Sequence, residues 1–289
     1  MNLLDERVSK VLQANPDLRV LRPVVEKELL HRDLLRILNK NGLLQDLVFM
    51  GGTCLRACYG SQRLSEDLDF YGGTSFRPEQ LEGLADSLKK GVHKKYGFDL
   101  QVQPPRQDRT QVRTWKVTIQ TRPDRTDLPS QRIHIDICML NAIDPRPMML
   151  SYPYGVEAGD AGFILQASSR EEIYVDKVVA LAFRPGRMKY RDVWDLHWLR
   201  QQQVPLRLDL ISPKVQAHGK TDEIFRKALL QRLEDLSTSE KIQHEGAAEL
   251  SRFLRQDQMR GLVDQPDFWR YISSEIQYKL EPFLSKPSG

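Results

Sequence analysis

The stretch of the sequence that most constrains the fold is residues 49–70. A short apolar run, Leu47 to Met50, stops at the glycine pair Gly51-Gly52, and a helical pattern begins at Thr53. This order predicts a strand, a glycine turn and a helix. A glycine pair that opens a helix lets backbone N–H groups and a hydroxyl approach phosphate oxygens, at the positive end of the helix dipole. Gly51, Gly52 and Thr53 are therefore candidate phosphate-binding residues.

A second pattern follows within the same stretch. Polar and apolar residues alternate from Ser65 to Tyr71, which predicts a strand with Ser65, Asp67 and Asp69 on one face. Two carboxylates spaced in this way can share a pair of Mg²⁺ ions. Each feature alone is common, because a glycine pair is often only a turn and Asp-x-Asp is often a solvated strand face. Together they indicate a site for a nucleotide and Mg²⁺, with Ser65 also near the phosphates.

A two-metal site needs a further carboxylate near the attacking oxygen. Asp136 has the right character, since it lies between isoleucines on a strand pattern, with Ile135 and Ile137 facing the other way. A buried carboxylate there requires a metal, a hydrogen-bond donor or solvent. The alternative is an edge-strand aspartate that pairs with an arginine.

Periodicity also predicts the organisation of the chain. The further predicted elements are helices at 24–40 and 78–96 and strands at 98–103, 113–121 and 132–140. From Glu171 onward the chain is predicted to be helical. We therefore expect an α/β (α+β) fold with a small mixed sheet, organised as a catalytic α/β domain at 1–165 and a helical domain at 166–289.

The stretch FMGGTCLRACYGSQRLSEDLDF resembles the AbiEii/AbiGii toxin family, whose members have a DNA-polymerase-β-like nucleotidyltransferase core. The family patterns GGT-x-L and R-x-S-x-D-[LI]-D-[FL] are both present, at 51–55 and 63–70. The resemblance implies that Asp67 and Asp69 hold magnesium, that Arg63 belongs to the nucleotide-binding residues, and that Asp136 takes the third acidic position.

A second block, residues 173–199, resembles the same family. The family pattern D-K-[LIV]-x-A-L, arginine and R-D-x-x-D-L matches residues 176–181, 184 and 191–196. By this resemblance Lys177 neutralises triphosphate charge and Asp195 is the functional acid. The resemblance also implies three residues that support Lys177 and Asp195 in the site: Arg184, Arg191 and Asp192. The alternative is simple helix electrostatics, because Arg191 and Asp195 are spaced i, i+4. Pro185-Gly186 predicts a helix break before Arg191.

The resemblance implies a toxin of a toxin–antitoxin system, with a role in phage defence, that transfers NMP from an NTP to an RNA acceptor. The implied acceptor is the 3′ end of tRNA, the implied cofactor is Mg²⁺, and a cognate antitoxin is encoded elsewhere. Two basic stretches, 106–132 and 177–200, are compatible with RNA. The open alternatives are transfer to a small molecule or to a protein hydroxyl, and an NTP-binding regulatory module without turnover.

Composition narrows the setting of the protein. Apolar residues make up 40 % and charged residues 28 % of 289 residues, and the net charge is +4. These values are ordinary for a folded protein and exclude wholesale disorder. No apolar run is long enough to span a membrane, and the N-terminus lacks the apolar segment of a signal peptide. Three cysteines that cannot all pair fit buried thiols in a reducing compartment, so we expect a cytoplasmic protein.

Overall fold

A computed structural model describes residues 2–106, 110–125, 127–151, 154 and 162–285. Arg109, which belongs to the first basic stretch, lies outside these residues. The chain divides into two compact units, Met1–Ser168 and Ser169–Gly289. The sequence placed the domain boundary at residue 165.

The first unit has an α/β architecture, as predicted. Its helices are α1 (Leu3–Ala14), α2 (Arg22–Lys40), α3 (Gly51–Tyr59) and α4 (Leu84–Tyr96). Its strands are β1 (Val48–Met50), β2 (Leu68–Tyr71), β3 (Leu100–Gln103), β4 (Val112–Ile119), β5 (Gln131–Cys138), β6 (Pro145–Met149) and β7 (Ile164–Ser168). Short 3₁₀ turns at Pro16–Leu21 and Pro78–Leu81 precede α2 and α4.

The strands form one mixed sheet in the order β3-β4-β5-β2-β1-β7-β6. β2 runs parallel to β5 and β1 runs parallel to β7, whereas the other neighbours are antiparallel. On one face of the sheet, large apolar side chains from adjacent strands form the centre of the core. The rings of Phe49 and Phe70 are in tilted contact there, with centroids 5.2 Å apart, and Ile135 and Ile137 are buried on the same face. The opposite face carries the aspartates of β2 and β5, together with a small apolar cluster that includes Tyr71 and Cys138.

The predicted strand at 65–71 is wrong at its start, because β2 begins only at Leu68. The backbone groups of Ser65 to Asp67 are bonded to side chains of α2 and α3 instead of to a neighbouring strand. Strands β6 and β7 were not predicted. β6 contains Pro145 and Pro147, which give no alternating pattern, and it lies at the edge of the sheet, where proline is tolerated.

The second unit is helical within its described residues, as predicted. Its helices are α5 (Arg170–Phe183), α6 (Tyr190–Gln201), α7 (Ile211–Ala217), α8 (Asp222–Thr238), α9 (Glu240–Leu250), α10 (Gln256–Gln258, continued by the π-helical turn Met259–Val263) and α11 (Phe268–Leu284). The aromatic stripe of α6, Tyr190, Trp194 and Trp198, is buried. Among the described residues of both units, no helix is both long and apolar enough to cross a membrane.

The cysteines are mostly buried, as expected. Cys54 and Cys138 are buried and Cys58 is half-buried, and none of the three is in a disulfide bond among the described residues. Burial raises the pKa of the Cys54 thiol, helped by its hydrogen bond with Cys58.

Candidate functional site

Three aspartates lie on the polar face of the sheet in the first unit. Asp69 on β2 and Asp136 on β5 are direct register partners on neighbouring parallel strands. Neighbouring strands lie about 4.8 Å apart and register partners share a face, so the two carboxylates project side by side. Asp67 precedes β2 by one residue and faces His134 of β5. The structure therefore places the three predicted metal-binding carboxylates in adjacent positions.

Two side chains that the sequence did not single out contact these aspartates. Thr114 of β4 donates a hydrogen bond of 2.6 Å from Oγ1 to Asp136 Oδ1. The backbone N–H of His134 lies 3.4 Å from Asp67 Oδ1, and its Nδ1 lies 3.5 Å from the same oxygen. The alternation of His134 with Asp136 on one strand face was visible in the sequence. Thr114 gave no signal, because its contact depends on the pairing of β4 with β5.

Carboxylate oxygens on one half-exposed face are the ligand type that Mg²⁺ prefers. In the part of the chain that the structure describes, no three His, Cys, Asp or Glu side chains stand close enough to enclose a metal ion. The donor set of Asp67, Asp69 and Asp136 fits Mg²⁺ in the chemistry of its oxygen ligands. Binding by all three requires their side chains to turn toward a common centre.

The glycine turn lies directly against Asp69. Gly51 has φ +77°, a left-handed conformation that favours glycine, and a Cβ built on it would lie 2.6 Å from Asp69 Oδ2. α3 begins at this residue, and Met50 before it has no side-chain oxygen that could cap the helix. The first turn of α3 and the Asp69 carboxylate are thus brought together, as binding of a phosphate together with its metal ion would require.

The other predicted phosphate-binding side chains are packed inside the protein. The Thr53 hydroxyl contacts the Asp67 carbonyl oxygen and lies 2.7 Å from Ser65 Oγ, and both side chains are buried. Arg63 is buried too, and its Nη1 donates to the Leu64 carbonyl oxygen at 2.8 Å. A Cβ on Gly52 would collide with the Arg63 guanidinium, which would have to move to admit a side chain there. These contacts hold the segment before β2, and phosphate contact stays a prediction for Thr53, Arg63 and Ser65.

Three residues on one side of α2, which we call the α2 clamp, hold the same segment: Lys27, Glu28 and His31. Glu28 Oε1 accepts the Ser65 backbone N–H at 2.9 Å. His31 Nε2 lies 2.8 Å from the Glu66 carbonyl oxygen, and Lys27 Nζ pairs with the Glu66 carboxylate at 3.2 Å. The clamp thereby orders the backbone that leads into Asp67.

Glu28 and His31 are both buried, and each has polar partners inside the protein. The Arg56 Nε donates to both Glu28 oxygens at 3.2 Å, and the Tyr154 hydroxyl donates to Oε2. Burial lowers the pKa of His31 to about 4, so the imidazole is neutral near pH 7 and its Nε2–H donates to the Glu66 carbonyl.

The family-pattern residues of the second unit form an ion-pair cluster. Lys177 Nζ lies 2.5 Å from Asp192 Oδ1 and 2.9 Å from Asp195 Oδ2, and Arg184 Nη2 lies 2.9 Å from Asp192 Oδ2. Asp195 is fully buried. Burial alone would raise the pKa of Asp192, but the charges of Lys177 and Arg184 hold it well below its usual range.

The predicted helix break before Arg191 is confirmed, because α5 ends at Phe183 and α6 begins at Tyr190. The alternative interpretation of this block was a pair between Arg191 and Asp195. In the structure, Asp195 pairs with Lys177, and Arg191 Nε lies 3.8 Å from Glu249 and stacks over the Phe253 ring at 4.5 Å. Asp195 therefore links α6 to α5.

Aspartates on adjacent strands, set against a helix that begins at a glycine turn, define the class of the protein as a nucleotidyltransferase. The family model "Nucleotidyl transferase AbiEii toxin, Type IV TA system" matches residues 32–274. The chain belongs to this family of toxin–antitoxin nucleotidyltransferases.

A solved structure of a nucleotidyltransferase toxin has the same fold. MenT4 from Mycobacterium tuberculosis H37Rv superposes with a TM-score of 0.54 at 16 % identity, over 96 % of this chain and 98 % of that chain. JHP933 from Helicobacter pylori gives a TM-score of 0.47 at 21 % identity, over 89 % of this chain and 97 % of that one. No curated protein sequence matches the chain significantly.

Proposed function

We propose that the protein transfers a nucleoside monophosphate from an NTP to the 3′-terminal hydroxyl of an RNA, with tRNA as the acceptor, and releases pyrophosphate. The observation that carries this proposal is the register pairing of Asp69 with Asp136 beside the turn at Gly51. The carboxylates and the positive end of a helix are thereby close together. A metal-bound triphosphate needs both, because carboxylates bind the metal and the helix end binds phosphate oxygens.

The reaction breaks one phosphoryl bond and forms another. The acceptor oxygen bonds to the α-phosphorus, the bond from that phosphorus to the oxygen bridging to the β-phosphate breaks, and pyrophosphate leaves. Asp136 takes the proton of the attacking hydroxyl, and Thr114 holds Asp136 from the side at 2.6 Å. Backbone N–H groups at the start of α3, directly after the turn at Gly51, hold phosphate oxygens.

Mg²⁺ is the metal proposed for Asp67, Asp69 and Asp136. When bound, it would offset the charge that develops on the phosphate oxygens and lower the pKa of the attacking hydroxyl. The protein's own contribution is to hold the carboxylates on one sheet face, with Asp67 steadied by the α2 clamp and by His134.

For the second unit we propose that Lys177 balances negative charge on the departing phosphates, with Asp195 orienting its amine. The 2.9 Å contact between Lys177 Nζ and Asp195 Oδ2 supports the orienting role. Asp192 and Arg184 complete the cluster that holds Lys177. Membership in a toxin–antitoxin family supports a cognate antitoxin as the partner of this chain.

The test incubates the purified protein with total tRNA, Mg²⁺ and each of the four α-labelled NTPs in turn. Asp69→Asn should lower labelling of tRNA by more than about 100-fold. Loss of a residue that only hydrogen-bonds to a metal ligand costs about 10- to 100-fold, and loss of a metal-binding oxygen itself should cost more. The matched control is Asp86→Asn, which removes an exposed carboxylate from α4 and should label tRNA like the wild type.

Expression in cells without an antitoxin adds an independent readout. The wild type should arrest growth and Asp67→Asn should not. Label in a polypeptide or a small molecule would replace RNA as the acceptor. Measurable NTP binding with no labelled product would contradict the transfer reaction, and equal toxicity of wild type and Asp67→Asn would contradict transfer as the cause of arrest.

A further inference from the structure

The polar face of the sheet continues past the aspartates onto β4 and β3. Register pairing carries it from the Thr114–Asp136 row to a row with Lys116 and His134, and then to a row with Thr118 and Arg132. β3 extends these last two rows with Gln103 and Gln101. Residues in register share a face, so all of these side chains are on the side of Asp136. Lys116, Arg132 and both glutamines are exposed.

The two cations on this face have no carboxylate opposite them. Lys116 is in register with His134 and Gln103, and Arg132 with Thr118. Opposite charges at directly paired positions on neighbouring strands stabilise a sheet, but the residues paired with Lys116 and Arg132 carry no negative charge. Within the described residues neither cation makes an ion pair.

Three partly or fully buried cations of the same unit are paired with carboxylates. Arg122 binds Glu26 at 2.6 Å, Arg56 binds Glu28 at 3.2 Å, and Lys27 binds Glu66 at 3.2 Å. Their charges are balanced by carboxylates of this unit, whereas Lys116 and Arg132 face no carboxylate among the described residues.

The spacing of the cations leads away from the candidate site. A strand rises about 3.3 Å per residue, so the Lys116 row lies about 7 Å and the Arg132 row about 13 Å from Asp136 along β5. The two charges thus mark a line across β4 and β5 that ends at the carboxylate proposed to accept the proton.

We propose that this surface, the Lys116–Arg132 strip (Gln101, Gln103, Lys116, Thr118 and Arg132), binds the phosphate backbone of a single-stranded RNA 3′ end whose terminal hydroxyl lies at Asp136. The inference rests on the proposed function and assigns its acceptor a path. Charge complementarity selects a polyanion, and an open sheet face admits an extended strand whose bases are free to meet the amides of Gln101 and Gln103.

The test measures binding of fluorescently labelled total tRNA, without NTP, over a series of salt concentrations. For single strands the slope of log affinity against log salt is about 0.7 per neutralised phosphate. Lys116→Gln with Arg132→Gln should therefore make that slope shallower by about 1.4. The control, Lys89→Gln with Lys90→Gln, removes two exposed charges from α4 and should keep the wild-type slope.

Transfer kinetics separate this inference from the proposed function. The strip variant should raise KM for tRNA more than it lowers kcat and should leave KM for the NTP unchanged, and charge reversal at both positions should enlarge the effect. If the wild type transfers to RNA but the strip variant has the same salt slope and the same KM for tRNA as the α4 control, the proposed role of the strip is wrong. The proposed function would still stand. Absence of RNA labelling by the wild type would instead overturn the proposed function.

Discussion

Gly51 combines two constraints at a single residue. Its φ of +77° disfavours any side chain with a Cβ, and that Cβ would also lie 2.6 Å from Asp69 Oδ2. The first constraint concerns the conformation of the turn, and the second concerns the carboxylate proposed to hold Mg²⁺. Gly60, at the other end of α3, has nearly the same φ of +79°, and a Cβ added there would have no neighbouring atom within 4 Å. A side chain at Gly60 would therefore strain only the backbone, whereas a side chain at Gly51 would strain the backbone and also collide with Asp69.

We predict that Gly51→Ala abolishes nucleotide transfer and destabilises the protein, whereas Gly60→Ala only destabilises it. Both substitutions cost about 1–2 kcal/mol for a left-handed alanine, and only the first displaces Asp69. Chemical denaturation gives the free energy of unfolding, and the α-labelled NTP assay gives the activity. Equal activity of the two variants would show that contact with Asp69 is unimportant.

The segment of residues 65–67, which precedes β2, is held in place by side chains of α2 and α3. The α2 clamp binds Ser65 and Glu66, and Thr53 of α3 binds the Asp67 carbonyl. These bonds satisfy backbone groups that would otherwise need a strand partner, and they explain why β2 starts late. Glu28 is the centre of the clamp, because it also pairs with the buried Arg56.

We predict that Glu28→Gln lowers the free energy of unfolding by about 3–5 kcal/mol, because it leaves the Arg56 charge buried without its partner. Transfer activity should fall as well, since the backbone before Asp67 loses an anchor. Glu82→Gln is the matched control, an exposed carboxylate on the same unit whose loss should change stability by less than about 0.5 kcal/mol. A Glu28→Gln protein as stable as this control would show that the clamp does not order the segment.

The stability of the whole molecule should depend on pH through two buried histidines, one in each unit. Burial lowers the pKa of His31 and of His197 to about 4 from 6.5. Between pH 4 and pH 6.5 the unfolded chain binds more protons at these histidines than the folded chain does. The free energy of unfolding is therefore highest above pH 6.5 and decreases as the pH falls toward 4.

We predict a loss of up to about 3 kcal/mol per histidine across this range. His31→Gln keeps an N–H donor for the Glu66 carbonyl and should remove the share of His31, which makes the free energy of unfolding less dependent on pH. His93→Gln, at an exposed position on α4, should leave the dependence unchanged. Identical pH profiles for wild type and His31→Gln would exclude this origin of the acid sensitivity.

At the scale of the whole molecule, the sequence by itself determined the features that arise from neighbours along the chain. The strand, turn and helix around Gly51, the alternation of apolar and polar residues along β5, and the helical second unit follow from periodicities of a few residues. The two family patterns are likewise short runs, and they were sufficient to identify the class of enzyme.

The tertiary structure alone decided which of these runs meet. It paired β2 with β5 so that Asp69 lies beside Asp136, brought Thr114 to Asp136, and put the α2 clamp around residues 65 and 66. It also joined Lys177 to Asp195 across the helix break. The physical reason is that strand order, register and buried ion pairs result from competition among all ways of covering the apolar faces, and no local pattern encodes the outcome of that competition.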